Sequence, residues 1–163
     1  MSWLLFLRSN YIGTHIVKWY KICNMDTRIY INNKPISDWK LKLLKGTLNA
    51  LTAPAKAKTI VYNDNASIDG ARAVNVPRRV QKRNVALPVI MQCSSFAELD
   101  HFKECLEAEL TSKDEVVLSC LELGCSYYLK YVEMDKYSNF DNAGKATFVL
   151  NFVELNPTRR TKI

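Results

Sequence analysis

Apolar and polar residues alternate along much of the chain, which predicts a largely β-sheet protein. Residues 28–32 (RIYIN) are β-branched and aromatic and precede the turn signal Asn33-Lys34-Pro35, so they predict a first strand. Residues 39–43 alternate apolar and basic side chains, the period of a strand with one solvated face. We expect residues 46–57 to form a loop with one helical turn, which Pro54 would end.

The middle of the chain predicts two further strands around an exposed loop. Residues 59–62 (TIVY) have the composition of a short strand, and residues 63–70 (NDNASIDG) are rich in turn formers, which indicates a hairpin or exposed loop. Residues 85–91 (VALPVIM) predict a buried strand. Because proline donates no ladder hydrogen bond, Pro88 should lie at an edge or a bulge, so we expect this strand to border the sheet.

Residues 96–110 show the periodicity of an amphipathic helix. Ser95 followed by Glu98 forms a capping box, which satisfies free N–H groups at a helix start. The apolar stripe should pack on a sheet and leave the glutamates solvated; it comprises Phe96, Leu99, Phe102, Leu106 and Leu110.

Three strands are predicted after the helix, at residues 116–121, 127–134 and 146–153. In the last of these, one face carries Ala146, Phe148, Leu150 and Phe152. Pro157 should stop this strand, and residues 158–163 (TRRTKI) form a basic tail that we expect to be too polar to pack. This order of elements predicts an α+β fold with an antiparallel sheet covered by one helix.

The chain has 163 residues, of which 48% are hydrophobic, and this favours one compact domain, which we place at residues 25–157. Residues 1–24 form an N-terminal extension that is either disordered or a mis-assigned start, or else an amphipathic arm that docks on a neighbour. Its apolar run at residues 3–7 is too short to span a membrane.

Charge is distributed very unevenly. Residues 1–94 hold 15 Lys and Arg against 4 Asp and Glu, whereas residues 95–163 hold 8 against 12. Such asymmetry fits a basic face that binds nucleic acid, and it equally fits opposite-signed faces that join copies head to tail in a ring.

The basic segment at residues 72–83 is the main candidate for a contact site. It contains no acidic residue, and its cationic side chains are Arg72, Arg78, Arg79, Lys82 and Arg83. These residues are candidates for a subunit interface or a polyanion contact. Because interleaved aromatics and a helix-turn-helix pattern are missing, a solvated loop or an acidic protein neighbour is favoured over nucleic acid.

No catalytic motif stands out, so the sequence predicts neither an enzyme nor a cofactor. His101 and Cys105 have helical i, i+4 spacing, but further metal ligands at suitable spacing are missing, so we predict no metal site. The five scattered cysteines indicate free, buried thiols in a reducing compartment. Glu104 with Glu107, and Glu133 with Asp135, are acid–base candidates for which solvated surface charge is the favoured interpretation.

Residues 25–157 resemble the amino-terminal domain of phage distal tail (baseplate hub) proteins, which are similar to tail-tube subunits. The resemblance rests on the opening strand, the loop with Ile68-Asp69-Gly70, the run of residues 79–91 into helix 96–110, and the closing strand before Asn156-Pro157. It implies a β-sandwich or half-barrel with one flanking helix. It also implies a structural virion protein of a phage or prophage tail, assembled in the host cytoplasm as a hexameric ring with neighbouring tail proteins. The alternative is a small basic nucleic-acid-binding protein of a mobile element.

Overall fold

The computed structural model describes residues 28–60, 62–63, 72–73, 77, 79–140 and 144–163. The predicted extension at residues 1–24 and most of the predicted loop at residues 63–70 lie outside this part of the chain. The fold is α+β, an antiparallel half-barrel with one main helix, so the predicted fold class is confirmed.

The strands are β1 Ile29–Ile31, β2 Lys34–Pro35, β3 Leu41–Leu43, β4 Tyr62–Asn63, β5 Arg72–Ala73, β6 Arg83–Gln92, β7 Val116–Cys120, β8 Cys125–Phe140, β9 Lys145–Glu154 and β10 Arg160–Lys162. The helices are a 3₁₀ helix at Ile36–Trp39, α1 at Thr47–Thr52 and α2 at Phe96–Thr111. The main sheet has the order β2-β1-β7-β8-β9-β6-β3, with β10 beside β8, while β4 and β5 form a separate hairpin.

The long strand β8 belongs to both halves of the curved sheet. Its first part pairs with β7 from Cys125 to Leu129, and its second part pairs with β9 from Lys130 to Phe140. The second ladder has register shifts between Tyr131 and Glu133 and between Asp135 and Ser138. Because bulges bend a strand and increase its twist, these irregularities curve the sheet into the half-barrel.

The core lies between the concave face of the sheet and α2. The predicted inward face of β9 is confirmed, since Ala146, Phe148, Leu150 and Phe152 are all buried. The paired strand β6 buries the alternate residues Val85, Leu87, Val89 and Met91 in matching register. Two alternating strands of this kind present one continuous apolar face for a helix to cover.

The predicted start of α2 is confirmed. The Glu98 N–H donates to the Ser95 hydroxyl oxygen over 3.2 Å, and the Glu98 carboxylate accepts the Ser94 N–H over 2.7 Å. The carboxylate therefore reaches one residue further back than in the usual capping box. The hydrogen bond from the Ser94 backbone lowers the pKa of Glu98.

The apolar stripe of α2 is narrower than predicted. Leu99, Leu106 and Leu110 are buried, but Phe96 is 50% exposed, so its assignment to the core is wrong. Phe96 is the first helical residue and precedes the turns that pack on the sheet. Phe102 is half-buried at the margin of the core, with the Lys40 ammonium 5.7 Å from its ring centroid.

Gly144, directly before β9, lies against the backbone of the residues that precede α2. Its φ is 61°, and a Cβ at this position would lie 2.6 Å from the Cys93 carbonyl oxygen. The Cys93 N–H donates to the Gly144 carbonyl oxygen over 2.8 Å. Only glycine combines this backbone conformation with so close an approach.

The prediction that the strand around Pro88 borders the sheet is wrong. β6 lies between β9 and the short strand β3, which forms the edge. β3 ends at Leu43, and beyond it the Leu44 N–H donates to the Pro88 carbonyl oxygen over 3.0 Å. In an antiparallel strand, the N–H and the C=O of one residue point to the same side. The N–H that Pro88 lacks would therefore point towards the end of β3, so no ladder hydrogen bond is lost there.

The prediction that residues 158–163 are too polar to pack is also wrong. Arg160, Thr161 and Lys162 form β10 and pair with Tyr127, Ser126 and Cys125 of β8. The Ile163 N–H donates to the Gly124 carbonyl oxygen over 3.0 Å. A strand that lies along another needs backbone partners rather than apolar side chains, so polarity alone did not prevent packing.

Several predicted strands have bounds that differ from those observed. Trp39 belongs to the 3₁₀ helix, which ends where Lys40 adopts a left-handed conformation with φ 54°. In the segment predicted at residues 59–62, Tyr62 lies in a strand and Thr59 and Ile60 do not, while Val61 lies outside the described residues. β8 extends six residues beyond the predicted end at Met134, because its partner β9 continues to pair with it.

Candidate functional site

The structure divides the five predicted contact residues among different environments. Arg79 and Lys82 are exposed, whereas Arg83 is buried. Arg72 lies in β5, where the structure describes the backbone alone, and Arg78 lies outside the described residues. For Arg72, Arg78, Arg79 and Lys82 a role in contacts with another molecule stays a prediction.

The side chain of Arg83 is buried in the interior of the domain. Its guanidinium lies opposite the buried Glu154 in the β6–β9 register, with Nε 2.8 Å and Nη2 2.6 Å from the Glu154 Oε2. Nη1 lies 3.2 Å from the Ala50 carbonyl oxygen and 3.0 Å from that of Leu51, and it also contacts the Ala53 carbonyl oxygen. These are the free carbonyls at the end of α1, so Arg83 caps this short helix.

Arg160 completes the network from β10. Its Nε donates to the Glu154 Oε1 over 3.0 Å, and its guanidinium lies 4.9 Å from the ring centroid of Tyr127. The single buried carboxylate of Glu154 thus joins two guanidiniums. The prediction that Arg83 contacts a neighbour or a polyanion is wrong, because its side chain is buried and its charge is paired with Glu154 within the domain.

The exposed cations lie on a two-stranded segment that we call the basic ribbon, residues 56–58 and 79–81. The Lys58 N–H donates to the Arg79 carbonyl oxygen, and the Gln81 N–H to the Lys56 carbonyl oxygen, each over 2.7 Å. Since directly opposed residues share a face, the side chains of Lys56, Lys58, Arg79 and Gln81 lie together on one face. All four are exposed, and the three cations form no ion pair within the described residues.

An open groove lies between the end of α2 and the second part of β8. It has a volume of about 600 Å³, and Glu107 and Glu133 line it together with Tyr131 and Val132. We call it the acidic groove. Glu107 and Glu133 are exposed and form no ion pair within the part of the chain that the structure describes. The two lysines of its lining are paired, Lys113 with Glu109 at 3.4 Å and Lys130 with Asp114 at 3.1 Å.

The backbone beside this groove is an open strand edge. β7 stops pairing with β8 at Leu129, and no described strand takes its place along Lys130–Phe140. Val132 lies at the first register shift and is 55% exposed. Lys136, with φ 53°, lies at the second. Bulges and charges at an edge limit indiscriminate pairing, but they leave backbone donors and acceptors available.

Tyr131 lines the groove, but its hydroxyl is buried. The hydroxyl oxygen has no hydrogen-bond partner among the described residues. Burial, together with the charges of Glu107 and Glu133, raises the pKa of this phenol. It therefore stays protonated at neutral pH.

The remaining candidate chemistry is sparse. The Cys105 sulfur lies 3.7 Å from the His101 Nε2, but no group of three metal-ligating side chains occurs within the described residues. Cys93, Cys105, Cys120 and Cys125 are free thiols, and Cys23 lies outside that part of the chain. Glu104, Glu133 and Asp135 are exposed. No helix within the described residues is long and apolar enough to cross a membrane.

Sequence reasoning missed the Arg83–Glu154 pair, although the pattern contains a signal for it. Arg83 continues the inward phase of Val85 and Leu87, and Glu154 continues that of Leu150 and Phe152. A charge in the buried phase of each of two neighbouring strands predicts an internal pair. The acidic groove has no comparable signal, because its residues come together only when α2 packs beside β8.

No protein-family model matches the chain, and no curated protein matches its sequence. Its fold is similar to the crystal structure of the Dit protein of phage SPP1, described as a paradigm of the hub adsorption apparatus in phages that infect Gram-positive bacteria. The TM-score is 0.56 and the identity 14%; the match covers 80% of this chain and 50% of that one. The chain thus spans about half the length of this hub protein, and what the two share is a phage-tail-like fold.

Proposed function

We propose that this protein is a non-enzymatic structural component of a phage or prophage tail that forms a ring at the distal tail or baseplate. The observation that carries the proposal is the antiparallel half-barrel with one flanking helix, which is similar to that of a phage hub protein. The partners would be further copies of the chain, in a hexameric ring, and neighbouring tail proteins. The protein would reside in the virion tail after assembly in the host cytoplasm.

Two surfaces of the domain support this assembly. The second part of β8 has an open backbone edge, and joining subunits around a ring is one way to cover such an edge. The basic ribbon and the acidic groove carry charges that form no ion pair with any residue that the structure describes. A ring built from head-to-tail contacts needs two different, complementary surfaces on each subunit.

A second candidate function is nucleic-acid binding, and the exposed cations of the basic ribbon favour it. Lys56, Lys58 and Arg79 share one solvated face, and Lys82 is exposed beside them. Such a cluster can neutralise phosphates and release counterions. This function predicts a monomer or dimer whose affinity for duplex DNA falls steeply as salt is raised.

Mass in solution and negative-stain images of the purified chain test the proposal. Light scattering should give a mass of about six chains, and images should show six-fold rings with a central channel. A chain that stays monomeric at high concentration and binds duplex DNA with a steep salt dependence would contradict the ring and establish the second function.

A further inference from the structure

We propose that the basic ribbon of one subunit docks in the acidic groove of the next, a contact that rests on the ring proposed above. The occupant of the groove is therefore a second copy of this chain. Three features support this contact: the positions of the two surfaces in the sheet, their charges, which form no ion pair within the described residues, and the apolar groups exposed in the groove.

The sheet order places the two surfaces next to strands on either side of β9. Residues 79–81 of the ribbon directly precede β6, while the groove borders β8, and β9 separates the two strands. Arg83 pairs with Glu154 of β9, and the adjacent Val153 pairs with Lys130 of β8, so the groove lies level with the start of β6, which the ribbon directly precedes. At about 4.8 Å per strand spacing, the strands β6 and β8 are about 10 Å apart. Two different surfaces on one subunit suit a head-to-tail contact that can close into a ring.

The charges of the two surfaces are complementary. Lys56, Lys58 and Arg79 occupy one face of the ribbon, and Glu107 and Glu133 occupy the groove. None of these five forms an ion pair within the described residues, although other charges on the same elements do, such as Lys113 with Glu109. Complementary patches of this kind set the register of a contact and speed encounter.

The groove also offers apolar and hydrogen-bonding contacts. Val132 is 55% exposed beside the half-buried Met134. The long alkyl chains of lysine and arginine can cover such apolar surface while their charged ends meet carboxylates. The bulged edge of β8 adds backbone groups that a neighbouring chain can satisfy.

A charge-swap experiment tests the contact. The ribbon variant is Lys58→Glu with Arg79→Glu, and the groove variant is Glu107→Lys with Glu133→Lys. Each variant alone places like charges opposite each other, so the concentration at half assembly should rise about tenfold or more. An equimolar mixture should restore rings, because each reversed ribbon then meets a reversed groove and the two variants alternate around the ring. The combined four-residue variant should also assemble.

The matched control is Lys145→Glu with Lys162→Glu, which makes the same charge change at exposed positions of β9 and β10. It should assemble as the wild type does, and all variants should keep the wild-type melting temperature within a few degrees. Rings formed by either reversed variant alone, or no recovery in the mixture and in the four-residue variant, would overturn this contact while leaving the ring itself intact. Absence of rings in the wild type would overturn the ring and the contact together.

Discussion

Arg79 and Arg83 belong to the same basic segment, yet the fold uses their charges in opposite ways. Arg83 is 7% exposed and meets Glu154 and three backbone carbonyls, whereas Arg79 is exposed on the basic ribbon without an ion pair in the described part of the chain. Because Arg83 is buried, its charge must be paired for the domain to fold. Because Arg79 is exposed, its charge is available for contacts in assembly. A count of charges along a segment does not distinguish these roles. The inward or outward position of each residue in a strand does distinguish them.

The largest expected effect is loss of the carboxylate that joins the buried guanidinium of Arg83 to the half-buried one of Arg160. Glu154→Gln leaves Arg83 and Arg160 without a counter-charge inside the domain, which should cost about 3–5 kcal/mol of unfolding free energy. Urea denaturation measures it. The control is Glu115→Gln, which removes an exposed partner of Arg159 at 3.1 Å and should cost less than about 1 kcal/mol. Equal losses in the two variants would contradict the distinction between the interior and surface charges.

The same contrast between interior and margin applies to the apolar face of α2. Leu106 is fully buried, so Leu106→Ala should lower the unfolding free energy by about 2–5 kcal/mol through lost burial and a residual cavity. Phe102 is half-buried, so Phe102→Ala should cost about 1–2 kcal/mol despite its larger side chain. Denaturation of the two variants under the same conditions gives the order. A larger loss for Phe102 would place it in the core.

Glu109 is an intermediate case, a largely buried carboxylate at the margin. The Lys34 ammonium, which donates over 2.9 Å, and the Asn32 amide, which donates over 3.0 Å, lower the pKa of Glu109 to about 2. Because this folded-state pKa lies below the ordinary value of 4.5, the carboxylate stabilises the fold fully above pH 4.5. That contribution is lost as the pH falls from 4.5 towards 2.

Glu109→Gln should therefore remove about 1 kcal/mol at neutral pH and flatten the acid limb of the stability curve. Thermal melts between pH 2 and 7 measure this effect. Glu104→Gln, an exposed position on the same helix, should leave the curve nearly unchanged. An unchanged acid limb in Glu109→Gln would show that the hydrogen bonds from Asn32 and Lys34 contribute little.

The smallest expected effect on folding is at the basic ribbon. Lys58→Glu with Arg79→Glu should change the unfolding free energy by less than about 0.5 kcal/mol, because both side chains are solvated. Urea denaturation of the monomeric variant measures this value. A loss as large as that for Glu154→Gln would mean that the ribbon charges serve the fold rather than assembly.

Much of the fold was predictable because strong local patterns agreed with tertiary packing. The alternating face of β9 and the capping residues of α2 lie where the sequence places them, since a buried strand face and a helix start each depend on neighbouring residues. The prediction was wrong for Phe96 and for β10. The burial of Phe96 depends on how far the sheet extends beneath α2, and the pairing of residues 160–162 depends on how far β8 extends. Local composition does not contain this information.

By itself, the sequence determined an α+β protein with an antiparallel sheet, one amphipathic helix and an uneven distribution of charge, because period, caps and composition are local properties. Only the tertiary structure decided which charges are available. In the folded domain, Arg83 pairs with Glu154 across β6 and β9, and Arg160 donates to the same carboxylate. Glu107 and Glu133 line an open groove. The physical reason is that burial and pairing of a charge depend on residues far away in the chain, whose approach is set by the packing of whole elements.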